Sequence, residues 1–389
     1  MKPYQIRIEY GKTTQTHVCI TESAAPMFGW ACAAAGHESQ EAYSLCVTHG
    51  GAAVWQTGWI LSQQQQCRYA GPTLESGEVY ELKVRLRGTD GACSAPVSQR
   101  FCPGGLERWD ADWLCADDQP SDAVIDFTAD FTCEDTVESA CLFVCGLGYH
   151  KALLNGAPVF DEPLNPAYSQ YDRRSYYNVV PELQAHIRRG ENRIAVRVAA
   201  GWRRPDSACY DLVQRIASYT GKTQLSAMLR LRYRSGCVEW IKTDKNWRFI
   251  PDAVASSDIF QGERREQGRF INGWSLPGTP LTTARPVSLT QPPCEKLQPQ
   301  ALTPVTEHEI YPARTCAQSA PGVWSVDFGQ NIAGVCRLRI PRDIPAGTVV
   351  TLRHMEFLDE DGRLYLPPLR NAASVDTYVA AGNGNDPEW

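Results

Sequence analysis

Aromatic and hydrogen-bonding side chains of the kind that bind sugars are concentrated in the middle of the sequence. Flat aromatic rings stack on the apolar faces of sugar rings, and amide, carboxylate and guanidinium groups hydrogen-bond to neighbouring hydroxyls. Both kinds occur together in the segment 155–203. The candidate carbohydrate-binding residues are Asn155, Asp161, Tyr171, Arg173, Trp202 and Arg203.

The same residues also have ordinary structural explanations. Asn155-Gly156 is a typical hairpin turn, because a type I′ turn needs positive φ at both central positions. Tyr171 and Trp202 are equally suited to burying their rings in a sheet core. Arg173 beside Asp172 can form a surface ion pair, which contributes little to stability. The residues alone leave binding and structural roles open.

Other groups of reactive residues indicate packing or turns. Cys141, Cys145 and His150 are metal-ligand types, but the two cysteines share one face of a predicted strand, which indicates packing. The acidic run Asp359-Glu360-Asp361-Gly362 lies between two predicted strands and indicates a hairpin turn. These residues thus indicate no catalytic group, and they do not identify which residues, if any, would bind a metal ion.

Composition places the 389-residue chain among acidic globular proteins of two to three domains. Its net charge of −6 argues against nucleic acid or an anionic membrane as a main partner, since both select basic surfaces. The 15 cysteines form no C-x-x-C pair, and the first residues carry no apolar signal segment. We therefore expect reduced thiols and a cytoplasmic protein, with a secreted disulfide framework as the alternative.

Polar and apolar residues alternate along most of the chain, as in segments 79–87 and 228–234. A period of two is typical of antiparallel sheets with one face in a core. Turn signals separate these segments, and the 26 prolines leave little room for long helices. One short helix is predicted over residues 181–187. The predicted fold class is all-β, with antiparallel β-sandwiches in tandem.

Two composition shifts predict the domain boundaries. The first, Cys102-Pro103-Gly104-Gly105, follows about 100 residues of alternating strands, a length typical of immunoglobulin-like or fibronectin-like sandwiches. The second is the Pro-rich segment 277–304, predicted to be an extended connector or a strap along a sheet edge. The predicted domains are a fibronectin III-like sandwich (1–104), a jelly-roll-like domain (105–276) and, after the connector, a second jelly-roll-like sandwich (305–389).

The sequence contains a series of short motifs in a fixed order. The strongest of them is Val326-Asp327-Phe328-Gly329-Gln330-Asn331-Ile332-Ala333-Gly334. The others are Gly146-Leu147-Gly148-Tyr149, Leu154-Asn155-Gly156, the segment 166–177, Gly190-Glu191-Asn192 with Gly201-Trp202, the segment 261–265 and the segment 356–378. In these motifs the chain resembles the amino-terminal half of bacterial α-L-rhamnosidases, glycoside hydrolase family 78. Residues 1–104 resemble the fibronectin-like module that often precedes that half.

The resemblance implies a region that lacks the acids of catalysis. In this family an (α/α)6 barrel follows the third domain and carries the acidic residues for inverting hydrolysis, and no segment here matches the barrel motifs. Inverting hydrolysis needs two carboxyl groups ~6.5–9.5 Å apart. We therefore expect the non-catalytic front part of such an enzyme, inactive alone, which supports the barrel and could bind rhamnose-containing glycans.

Calcium is the one cofactor that the resemblance brings into question. Some family members bind rhamnose with calcium, and the resemblance places that site at the loops of "L-N-G" and "G-W". Here Leu154 precedes Asn155, and Arg203-Arg204 follow Trp202, so two guanidinium groups would repel a cation. We expect no cofactor, with a calcium site that draws on Asp161 and Asp206 as the alternative.

Two further functions stay open from the sequence. A stand-alone carbohydrate-binding or lectin-like protein predicts saturable rhamnose binding, and a dimerisation platform predicts a mass that depends on concentration. If a barrel normally covers the third domain, that domain should expose apolar surface of several hundred Å². A uniformly polar third domain would instead favour the stand-alone protein.

Overall fold

The computed structural model describes residues 2–9, 11–12, 18–33, 39–203, 221–361, 363–382, 384 and 389. Regular structure in these residues is almost all β-strand, as predicted. Helical structure there is limited to short 3-10 turns at Leu183–His186, Gly201–Arg203, Gln267–Arg269 and Pro367–Leu369. None of these helical segments is long or apolar enough to cross a membrane. The helix predicted over 181–187 is therefore one short turn, preceded by Glu182 in the left-handed region at φ 64°.

Ten strands form the first sandwich: β1 (Lys2–Ile8), β2 (Gly11–Lys12), β3 (Cys19–Thr21), β4 (Met27–Ala33), β5 (Gln40–His49), β6 (Ala52–Gln56), β7 (Ile60–Leu61), β8 (Gln66–Arg68), β9 (Tyr80–Gly88) and β10 (Val97–Pro103). One sheet has the order β2-β1-β4-β8, and the other has the order β3-β10-β9-β5-β6 with β7 also on β5. Strand β9 buries Tyr80, Leu82, Val84 and Leu86 in the core, which is the alternation seen in its sequence.

Ten strands begin the second domain: β11 (Trp113–Cys115), β12 (Ile125–Cys133), β13 (Val137–Leu147), β14 (Tyr149–Leu154), β15 (Ala157–Pro158), β16 (Ser175–Val180), β17 (Gly190–Ala199), β18 (Gln224–Tyr233), β19 (Val238–Lys242) and β20 (Arg248–Pro251). The remaining strands are β21 (Val254–Asp258), β22 (Gly262–Glu266), β23 (Arg285–Pro286), β24 (Ser288–Thr290), β25 (Leu297–Pro299), β26 (Thr315–Ala320), β27 (Val323–Asp327), β28 (Val349–Arg353) and β29 (Val375–Val379).

Two sheets face each other in the second domain. Their orders are β24-β11-β18-β13-β16-β25, with β19 on β18, and β15-β14-β17-β12-β20-β23. Strand β13 is buried on both faces: Leu142 and Val144 lie in the core between the sheets, whereas Cys141, Phe143 and Cys145 pack in a second cluster that includes residues of the first domain. This second cluster explains the continuous apolar run of β13, since both of its faces are covered.

A buried ion-pair network joins the first domain to the second. Glu78 accepts hydrogen bonds from Arg230 at 2.7 Å, Arg232 at 2.8 Å and Ser139 at 2.9 Å, and both arginines also pair with Glu75. Burial acts to raise the pKa of Glu78, but the hydrogen bonds from the two arginines outweigh it and lower the pKa. Arg230 and Glu78 are 2% and 3% exposed, so their pair is desolvated, whereas Glu75 is half-exposed.

The Pro-rich segment 277–304 contributes edge strands to both sheets of the second domain. Strand β23 pairs with β20, β24 pairs with β11, and β25 runs parallel to β16. Of the two predicted alternatives, the structure shows the strap rather than a free connector. Prolines suit this position because an edge strand can leave their missing N–H groups unpaired.

Strand pairing crosses the second predicted boundary. The sheet of the third region has the order β21-β22-β29-β28, so two of its four strands come from residues assigned above to domain 105–276. The pairing of β22 with β29 is parallel and joins residues more than 100 positions apart, such as Arg264 and Thr377. Alternation patterns reveal strands but not such long-range partners, so this pairing was not predicted, and the boundary after residue 276 stays a prediction.

The third region leaves many apolar side chains in solvent. Strands β26 and β27 pair with each other, and all their residues are exposed. The large apolar side chains exposed from residue 302 onward, which we call the exposed apolar set, are Leu302, Val305, Ile310, Val323, Trp324, Val326, Ile332, Val335, Val349, Phe357, Leu358, Leu364, Tyr365 and Leu366. The third region is therefore not uniformly polar.

Candidate functional site

The Asn155-Gly156 turn is built as the sequence predicts and uses the Asn155 side chain structurally. Asn155 and Gly156 have φ of 52° and 84°, both positive, as a type I′ turn requires. The Asn155 amide donates to the His186 carbonyl and to Asn192 Oδ1, both at 2.8 Å, and its oxygen accepts the Arg193 N–H at 2.9 Å. These bonds hold the turn in place through both ends of the Asn155 side-chain amide.

An aromatic cluster brings together two of the predicted binding residues. The Trp202 ring lies 5.6 Å from Tyr168 and 5.9 Å from Phe260, and Tyr168 lies 5.9 Å from Tyr171. Tyr171 is 1% exposed, and burial raises its pKa well above the usual value, so its hydroxyl stays protonated and away from solvent. Tyr168, absent from the predicted set, is 43% exposed and is the ring of this cluster most open to a ligand.

The predicted charged residues are spread around this cluster. Arg203 lies half-buried at the end of the Gly201–Arg203 turn, near enough to Tyr171 for its charge to act on that hydroxyl. Asp161 and Arg173 are exposed on the loop between β15 and β16. Arg204 and Asp206 lie outside the described residues.

A buried polar network that sequence reasoning missed supports the loop carrying Tyr168. Gln300, from the Pro-rich strap, accepts the Ala167 N–H at 2.7 Å and donates to Asn165 Oδ1 at 3.2 Å. The Asn165-Pro166 peptide bond is cis. Asn165 and Gln300 are far apart in the sequence and belong to no recognisable pattern, so their pairing could be found only from the fold.

His150 and its neighbouring cysteines are packed in the protein interior. His150 Nδ1 accepts the Gly146 N–H at 3.1 Å, and burial lowers the pKa of His150 to about 4, so the ring stays neutral near pH 7. Cys141 and Cys145 are fully buried in the cluster between the first two domains. Across the described ranges, no group of three or more His, Cys, Asp or Glu side chains is placed to hold a metal ion. The alternative calcium site draws on Asp161 and on Asp206, which lies outside the described residues, so that site stays a prediction.

Two buried carboxyl groups occur together on the outer side of the second sheet. Asp126 and Asp252 are each 3% exposed and both pair with Arg197, which contacts Asp126 at 2.8 and 3.0 Å. The cavity beside them measures about 10 Å³, roughly the space of one water molecule. A pair held on one guanidinium with no room for a sugar ring lacks the separation that inverting hydrolysis requires.

An open groove of about 660 Å³ lies in the third region, lined by Phe357, Leu358, Asp359, Glu360, Asp361, Tyr365 and Pro368. Asp359 Oδ1 accepts the N–H groups of Asp361 at 3.0 Å and Arg363 at 2.7 Å, and Leu358 forms a bridge with Leu364. The acidic run therefore forms a turn closed by one isolated bridge, as a turn was predicted, but the two flanking strands are not present among the described residues, where β28 ends at Arg353 and β29 begins at Val375. Gly362, the last residue of the run, lies outside the described residues. The groove is walled by members of the exposed apolar set.

Comparison with known protein families matches three consecutive parts of the chain. Residues 3–106 match a Rha78A-like N-terminal immunoglobulin domain. Residues 135–309 match the α-L-rhamnosidase N-terminal domain. Residues 317–389 match the bacterial α-L-rhamnosidase concanavalin-like domain. Together the three matches follow the domain order of one kind of enzyme.

Individual proteins show the same similarity. An α-L-rhamnosidase of Streptomyces avermitilis is 33% identical over 253 residues, which cover 64% of this chain and 24% of that protein. One from Formosa agariphila is 24% identical, covering 94% of this chain and 42% of that protein. The solved α-L-rhamnosidase from Aspergillus terreus is 25% identical with a TM-score of 0.87, covering 100% of this chain and 45% of that chain. The chain thus spans less than half the length of these relatives.

Proposed function

The chain carries the amino-terminal β-domains of the α-L-rhamnosidase family, glycoside hydrolase family 78, and from this premise we propose that it supports the catalytic domain of such an enzyme. The activity of the complete enzyme would be the release of terminal α-L-rhamnose from glycosides. In this proposal the chain supplies a scaffold and a docking surface, and the acids of hydrolysis lie on the (α/α)6 barrel of the longer relatives.

The exposed apolar set is the observation that carries this proposal. Hairpin β26–β27 projects Val323, Trp324 and Val326 into solvent, and Trp324 is 59% exposed. A two-stranded hairpin is marginally stable in water unless a further layer covers it. Concentrations of exposed apolar side chains mark interaction surfaces. We propose that the catalytic domain covers this hairpin and the groove lined by Phe357 and Leu358.

The joint between the first two domains supports a scaffolding role. The Glu78 network and the apolar cluster around Phe143 fix the first domain against the outer face of β13 and β18. Gly105 makes this approach possible, because a Cβ atom there would lie 2.1 Å from the Glu22 carbonyl oxygen. Domains packed with such close contacts move as a unit, which suits the positioning of a third partner.

A chimera tests the scaffold proposal. The chain replaces the corresponding region of the Streptomyces avermitilis relative, and release of nitrophenol from an aryl α-L-rhamnoside is measured. We expect an active chimera that loses most of its soluble, active yield on Trp324→Asp. Val238→Asp, on an exposed position of β19, is the matched control and should leave the yield unchanged. An active chimera indifferent to Trp324→Asp would contradict docking at this hairpin.

A second candidate function is the binding of rhamnose-containing glycans by the second domain. The specific observation is that Tyr168 exposes its ring next to Trp202, a pairing that can stack on a sugar. This proposal places the ligand on Tyr168 and Trp202, not on Asn155. It covers both a module of the larger enzyme and a stand-alone lectin-like protein.

Calorimetric titration with L-rhamnose, with and without a chelator, tests the second candidate. We expect saturable binding with a Kd in the millimolar range or tighter, unchanged by the chelator and lost in Tyr168→Ala. Tyr4→Ala is the matched control, because Tyr4 is also 43% exposed but lies in the first domain. Absence of saturable heat with the unmodified chain would contradict sugar binding here.

A cytoplasmic location, inferred from cysteine usage, remains part of the proposal.

A further inference from the structure

In the third region, the side chains of a cysteine, a histidine and an aspartate lie next to one another. Cys336 Sγ lies 3.8 Å from His354 Nδ1, and His354 Nε2 lies 2.8 Å from Asp376 Oδ2. His354 ends up beside Asp376 because it directly follows β28, and Asp376 is on the neighbouring strand β29. Cys336 is exposed, so this group of three can be reached from solvent.

The hydrogen bonds around Asp376 determine which tautomer a neutral His354 imidazole adopts. Asp376 Oδ1 accepts the Glu263 N–H at 2.9 Å, which holds the carboxylate in place and leaves Oδ2 for His354. The hydrogen bond to Asp376 raises the pKa of His354, and burial of the ring opposes this effect. A neutral His354 therefore carries its hydrogen on Nε2 and presents the lone pair of Nδ1 to the thiol.

We propose that Cys336 is a site of S-thiolation by small disulfides, with His354 as general base and Asp376 as its positioning residue. As the sulfur of Cys336 attacks one sulfur of the disulfide, its proton passes to His354 Nδ1. The disulfide S–S bond breaks, a new S–S bond forms to Cys336, and the departing thiolate takes the proton from the imidazolium. The products are a mixed disulfide on the protein and one free thiol, so no further oxidant is needed.

The base matters because Cys336 does not ionise readily by itself. Although Cys336 is exposed, neighbouring atoms partly desolvate its thiol, and this effect, with a contribution from the Asp376 carboxylate, raises the pKa of Cys336 above the usual thiol value. Little thiolate is then present near pH 7, and an unaided thiol at this position would react slowly. General-base assistance typically contributes ~100-fold or more, enough to outweigh such a handicap.

The test compares thiols within the full 389-residue chain. The chain is treated with hydroxyethyl disulfide, a small neutral disulfide, and the modification rate at each cysteine is measured by peptide mass spectrometry. Cys316, exposed on strand β26 of the same region, is the internal reference. We expect Cys336 to react about tenfold or more faster than Cys316.

Variants separate base assistance from exposure alone. His354→Gln should bring the Cys336 rate down to that of Cys316 or below. Asp376→Asn should also slow it, although the imidazole remains, because the asparagine amide would donate to Nε2 and move the ring hydrogen to Nδ1. His308→Gln removes another exposed histidine of the region and should change nothing.

Either of two results would overturn the proposal. One is a Cys336 rate no higher than that of Cys316 in the unmodified chain, a comparison that needs no variant to fold. The other is an unchanged Cys336 rate in whichever of the His354 and Asp376 variants keeps the circular dichroism spectrum of the parent chain. Rhamnose binding and barrel docking do not enter these measurements, so the result is independent of the proposed function.

Discussion

Replacement of Asp126 by asparagine should remove a specific pH dependence of folding. Asp126 is buried beside Asp252, and Arg197 is the shared cation of the pair. Burial raises the pKa of Asp126 to about 7 from a usual 3.8; Arg197 opposes the rise, and Asp252 adds to it. Between about pH 4 and 7 the folded chain thus holds a proton that the unfolded chain releases, so the unfolding free energy falls as pH rises.

The magnitude follows from these two pKa values. The full difference corresponds to about 4 kcal/mol, at ~1.4 kcal/mol for each tenfold change in proton affinity. Between pH 5 and pH 8 the part that is lost is about 2–3 kcal/mol. Asparagine resembles the protonated acid in shape and charge, so Asp126→Asn should gain about that much relative to the parent chain over this pH interval.

Urea unfolding followed by tryptophan fluorescence at pH 5, 6, 7 and 8 measures this difference. Asp130→Asn is the matched control: Asp130 also lies on β12 and pairs with an arginine through both oxygens, but its side chain is 57% exposed. We expect the control to keep the pH slope of the parent. A parent and an Asp126→Asn variant with parallel pH profiles would refute the reasoning.

The joint between the first two domains gives two further predictions, both read as changes in unfolding free energy by urea titration. Glu78→Gln should cost about 3 kcal/mol, because it leaves a buried guanidinium partly unpaired. Glu75→Gln, at a half-exposed position, should cost under about 1 kcal/mol. Equal costs for the two variants would contradict the assigned burial. Gly105→Ala should cost about 1–3 kcal/mol, because the new methyl group would clash with the Glu22 carbonyl. Gly334→Ala should leave stability unchanged, because a Cβ atom there meets nothing within 4 Å. An unchanged stability of Gly105→Ala would show that the domains are not held this closely.

Local patterns predicted much of the fold. The alternation of β9, the positive φ values at Asn155-Gly156 and the turn within the run that begins at Asp359 all depend on residues close in sequence. The motif order predicted the family, which the three family matches confirm. Short-range sterics and side-chain alternation therefore sufficed for the elements and for their class.

Features that depend on distant partners could not be predicted in the same way. The parallel pairing of β22 with β29 joins strands on either side of a predicted domain boundary, and no local signal reports it. The sequence does not indicate the hydrogen-bond partners of the Asn155 side-chain amide, which include Asn192 and Arg193 in the structure. Tyr168 was not in the predicted set of carbohydrate-binding residues, because the exposure of its ring is a property of the packed loop and not of the residue type.

The measurement that tests the central claim most directly is hydrolysis of an aryl α-L-rhamnoside by the purified 389-residue chain. The claim is that the described β-domains support catalysis by acids located elsewhere. It predicts nitrophenol release no faster than with a heat-denatured sample. Sustained turnover by a homogeneous preparation of this chain, abolished by replacing one of its own carboxylates, would contradict it.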